Sequence, residues 1–82
     1  MAHDTFTFNI VEHIMTIAKT ANYKGEEWTK ELNVVSWNGK APKLDLREWN
    51  SDHSKMSKGV TITDSEAKLL SDALNKYMER RQ

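Results

Sequence analysis

The feature that most narrows the fold is an Asn38-Gly39 pair set between two runs whose side chains alternate with period two. Asn-Gly suits the two-residue turn of a β-hairpin, because both residues tolerate the positive φ such a turn demands. Upstream, Lys30–Trp37 places Leu32 and Val34 on one face and Asn33, Val35 and Trp37 on the other. Downstream of Ala41 and Pro42, Lys43–Trp49 places Leu44 and Leu46 on one face and Lys43, Asp45, Arg47 and Trp49 on the other. The leucine face asks for a covering layer. The second face mixes charge with indole.

The flanking segments extend this hairpin. A polar loop, Asn50 to Lys58, leads through Gly59 into a short strand, Val60–Thr63, with Val60 and Ile62 opposite to Thr61 and Thr63. Thr63-Asp64-Ser65-Glu66 is a capping box, so a helix is expected to start there. Ala67, Leu70, Ala73, Leu74 and Tyr77 give that helix an apolar stripe, and Leu32, Leu44, Leu46, Val60 and Ile62 offer it a surface. At the other end, Phe6, Phe8 and Ile10 alternate with Thr5, Thr7 and Asn9 as in a strand, and a turn is expected around Gly25. The alternation then lapses, and Val11, Ile14, Met15 and Ala18 fit one face of a helix equally well. The expected fold class is α+β, a four-stranded antiparallel sheet followed by a C-terminal helix, in one domain over residues 1–82.

A chain of 82 residues without cysteine has a small core and no disulfide to support it, so a second copy is the expected source of further burial. Without a basic segment followed by an apolar run at the start, and without about 18 consecutive apolar residues anywhere, the expected location is the cytoplasm. Twelve basic residues balance twelve acidic ones, which argues against a uniformly basic surface. Only residues 37–60 are net basic, with five Lys and Arg against three Asp and Glu.

Unpaired bases are bound by aromatic surfaces on which they stack and by cations that follow the phosphates. Trp37 and Trp49 with Lys40, Lys43 and Arg47 could supply both on one face. The alternative is a second small core, since Trp is more often packed than exposed. Against it, Lys43, Asp45 and Arg47 share a face with Trp49, and charged residues are rarely buried together. Lys55 and Lys58, flanking Met56, could clamp phosphates or simply keep a loop solvated. Arg80 and Arg81 complement the helix dipole.

Catalysis is not expected. Asp45 and Glu48 point to opposite faces of a strand, and Asp45 is better placed to orient Arg47 or Lys43. His3, His13 and His53 are far apart in sequence, show no metal-ligand spacing and are expected to be surface residues, and no Gly-rich phosphate loop or nucleophile motif occurs. No cofactor or metal is implied.

The WNGK turn, the LDLREW strand and the SKMSKGVTIT segment, followed by an acidic helix start, resemble the transcriptional coactivator p15 family, with small bacterial members of YdbC type as the nearest fit. The resemblance covers residues 28–78. It implies a curved sheet plus helix that dimerises to present grooves for single-stranded DNA. On that pattern Trp37 is the stacking aromatic before the turn glycine, Lys40 the turn lysine, Arg47 the strand arginine, Trp49 the following aromatic and Lys58 the lysine before the glycine. A single Trp49 stands where animal members have two adjacent aromatics, and Ala41-Pro42 lengthens the turn. The expected function is sequence-tolerant binding of single-stranded DNA by a nucleoid-associated homodimer, with RNA also open as a ligand and transcription or repair proteins as further partners. A dimeric protein-interaction adaptor using the same Trp and Arg face is the rival, because those residues also dominate protein hot spots.

Overall fold

In the computed structural model, residues 6–22 and 24–81 are described. They form four strands and a helix, β1 (Phe8–Ala21), β2 (Glu27–Trp37), β3 (Lys43–Asn50), β4 (Val60–Ile62) and α1 (Asp64–Arg80). The strands make an antiparallel meander in the order β1-β2-β3-β4. The expected fold class is present, with strands two and three longer than their alternation suggested.

The β2–β3 turn is the one the sequence called for. Asn38 and Gly39 take φ of 52° and 74°, and the Lys40 N–H closes the turn on the Trp37 carbonyl at 2.9 Å. The preceding connection is fastened differently. Asn22 Oδ1 accepts from the Lys24 and Glu26 N–H groups, an Asx turn that folds β1 back onto β2.

β1 resolves the ambiguity of its sequence. It is a strand, but its register against β2 shifts between Ile10 and Glu12, between His13 and Met15, and between Thr16 and Ala18. Each shift is a bulge that inserts one residue, and the inserted residues are Val11, Ile14 and Ile17. A repeat of three thus replaces the repeat of two, which is why the segment imitates a helix. Phe8, Ile10, His13 and Thr16 stay paired with Trp37, Val35, Asn33 and Glu31, on one face of the sheet.

The helix begins as expected. Thr63 Oγ1 accepts from the Glu66 N–H while the Glu66 carboxylate accepts from the Thr63 N–H, so the capping box is complete. Its covering role is weaker than the stripe implied. No residue of α1 is buried, it touches mainly β3, and an open groove lined by Leu32, Leu44, Ala67, Leu70 and Leu74 separates it from the leucine face. Of the expected core on that face only Ile62 is buried, at 6% exposure, and Val60 remains 57% exposed.

The tightest packing lies on the opposite face, where the shared charges argue against a second core. Val35 and Trp49 are wholly buried there, together with the polar side chains of Glu31, Asn33 and Asp45. Phe8 reaches Trp49 with ring centroids 5.1 Å apart, and His53 lies over the same indole at 5.5 Å. The second small core therefore exists, roofed by β1 and by the 50–58 loop.

Candidate nucleic-acid interface

The loop that covers Trp49 is built by its own polar residues. Asn50 Oδ1 accepts from the Lys55 N–H, the Asn50 carbonyl accepts from the His53 N–H, and Met56 bridges back to Trp49. His53 adopts a φ of 60°, a left-handed turn that carries its ring over the sheet. There His53 Nε2 donates to Glu31 at 2.9 Å, and His13 approaches the same carboxylate at 3.5 Å while bonding Asn33 at 2.7 Å. His13 and His53, with side chains 48% and 38% exposed as surface residues, converge on Glu31 from β1 and from the loop. His3 lies outside the described residues.

Burial pushes the Glu31 carboxyl up. Hydrogen bonds from Thr29, Asn33 and His53, with the charge of His53, outweigh that and hold it below the usual glutamate range. Among the described residues no cluster suits a metal ion. The grouping is a buried polar network that pins the loop to the sheet.

Arg47 and Asp45 sit two apart on β3 and so share a face. The guanidinium makes two bonds of 2.7 Å to the Asp45 carboxylate, as the expected orienting role requires. It is only 13% exposed and lies over the Trp37 ring at 4.5 Å. Gly59 makes this possible. A β-carbon there would fall 2.4 Å from the Arg47 β-carbon and 2.5 Å from the Leu46 carbonyl oxygen, so only glycine lets the backbone pass.

The expected site residues are therefore divided. Trp37, at the end of β2, is half-buried, and its indole N–H has no hydrogen-bond partner among the described residues. Lys40 and Lys43 are exposed beside it on either arm of the turn. Lys43 also lies near the helix start, where its charge helps the Thr63 hydrogen bonds keep the Glu66 carboxyl low. Lys55 and Lys58 are exposed on the loop beyond Trp49. Trp49 does not join them. The expectation of a solvent-accessible indole is corrected, because Phe8 and His53 seal it at 0% exposure.

Sequence reasoning missed Phe6. It is 60% exposed, its ring centroid 5.7 Å from that of Trp37 and 6.3 Å from that of Phe8. The Phe6-Thr7-Phe8 alternation carried the signal, since Phe8 faces Trp37 and period two sends Phe6 to the same side.

Four antiparallel strands, one trailing helix and an aromatic-basic patch at the central turn define a small open-sheet domain. A model of the family Transcriptional Coactivator p15 (PC4) matches residues 24–73, more than half of the chain. The chain belongs to this family of DNA-binding transcriptional coactivators. It is also similar to an uncharacterized protein of Treponema pallidum (strain Nichols), 39% identical over 75 residues that span 92% of this chain and 84% of the relative.

Proposed function

We propose that the protein binds single-stranded DNA with little sequence preference, as a homodimer acting in transcription, replication or repair, and that it is not an enzyme. The observation that carries this reading is the partly exposed Trp37, overlaid by Arg47, with exposed Lys40 and Lys43 on the arms of its turn. Stacking fits any base, and lysines at the turn and on the 50–58 loop can follow a phosphate chain across the face. Lys40, Lys43, Lys55 and Lys58 serve as phosphate partners in this scheme. Arg47, paired with Asp45 and held through Nη1 by the Ser57 carbonyl and Met56 Sδ, acts in this scheme mainly by steadying Trp37. Trp49 supports the platform from beneath and does not stack on bases.

The homodimer is supported by the face left uncovered. Val11, Ile14, Met15, Ile17, Val60, Leu70 and Leu74 are each 41–59% exposed. Apolar exposure on this scale marks an association surface, and a second copy offers a matching one.

Titration of oligo-dT tests the reading. Trp37→Ala should weaken binding by roughly 1–3 kcal/mol while the protein stays folded, as checked by circular dichroism at the temperature of the titration. Equal oligo-dT affinity in the two proteins would remove Trp37 from the site. An adaptor role predicts no quenching of tryptophan fluorescence by oligo-dT at any concentration.

A further inference from the structure

We propose that Phe6 is a second base-stacking residue, held in place by a clip from the Asn38 side chain; this rests on the single-strand reading above. Phe6 precedes β1 and lies outside its ladder with β2. It is fastened instead. The Thr7 N–H donates to Asn38 Oδ1 at 2.9 Å, and the Asn38 N–H donates to the Thr7 carbonyl at 2.8 Å. These bonds tie residue 7 to the turn, and the neighbouring Phe6 ring lies at 32° to that of Trp37.

The choice of residue at position 38 points the same way. A φ of 52° is met most easily by glycine, yet only a residue with a side-chain acceptor can also hold Thr7. Asparagine does both. Arg47 occupies one face of the Trp37 ring, so the aromatic surface open to a base is shared between the rest of Trp37 and Phe6. At 60% exposure the Phe6 ring leaves an aromatic face on which a base can lie. Phe6 is thus a binding residue, and Asn38 a positioning residue that acts through it.

The test uses the full chain with Phe6→Ala, Phe6→Trp, Asn38→Gly and the Phe6→Ala/Asn38→Gly double variant. Each is titrated with oligo-dT and with an abasic oligomer of equal length, at several salt concentrations. Phe6→Ala should weaken oligo-dT binding by roughly fivefold or more, with unchanged salt slope and unchanged binding of the abasic strand, because a stacking surface and no phosphate contact is lost. Phe6→Trp should keep parental affinity. Asn38→Gly, which preserves the turn, should lose affinity in the same direction, and the double variant should be no weaker than Phe6→Ala. Parental affinity in Phe6→Ala, while Trp37→Ala is impaired, overturns the role of Phe6 alone. A parent protein that fails to bind oligo-dT overturns both readings. Loss of affinity for the abasic strand in Phe6→Ala would show a structural effect and also overturn the assignment.

Discussion

Arg47 joins three parts of the molecule, bonding Asp45, overlying Trp37 and pressing its β-carbon against the backbone at Gly59. Gly59→Ala should therefore cost about 1–3 kcal/mol in urea denaturation and shift the Trp37 emission, because Arg47 or β4 must give way. Glu31 gives a second residue-level prediction. Its folded carboxyl is held low, so its contribution to stability is complete above the ordinary glutamate range and is lost as pH falls through the lowered folded value. Denaturation midpoints measured across mildly to strongly acidic pH should fall over that interval in the parent and fall less in Glu31→Gln. The Arg47–Asp45 pair was legible in the sequence because residues two apart on a strand must share a face. The burial of Trp49 was not, since its cover comes from Phe8 and His53, residues on separate segments that the 50–58 loop and β1 bring together.

At the scale of elements, local signals were legible and those set by register were not. The helix start was written in four consecutive residues, Thr63 to Glu66, and it forms as written. Thr63→Ala should cost about 1 kcal/mol and lower the melting temperature by roughly 4–8 °C, read by circular dichroism. β1 was ambiguous because three bulges, at Val11, Ile14 and Ile17, turn a two-residue repeat into a three-residue one. The bulges have a consequence for the site. They let a 14-residue edge strand keep Phe8, Ile10, His13 and Thr16 turned to the face that carries Trp37. They also break the regular row of backbone groups on an outer strand, which discourages uncontrolled pairing with other sheets.

At the scale of the whole molecule, the isolated chain is too open. Its accessible surface of 6585 Å² exceeds the about 5,000 Å² expected of a compact chain of this mass. Its radius of gyration of 15.1 Å likewise exceeds the about 12 Å of a compact domain of this length. Leu70 and Leu74 of the α1 stripe stay 41% and 53% exposed, and the proposed homodimer would cover them. Sedimentation should give the mass of two chains, and Leu74→Lys should shift it toward one chain and weaken DNA binding with it. A parent protein that sediments as one chain at micromolar concentration would contradict the dimer.

The most direct test of the central claim is competition among single-stranded DNA, duplex DNA and RNA for the parent protein at two salt concentrations. The account predicts that single strands displace a bound oligo-dT far better than duplex does, and that affinity falls with salt by a slope of about −0.7 for each phosphate neutralised. Duplex that competes as well as single-stranded DNA, or binding indifferent to salt, would contradict it.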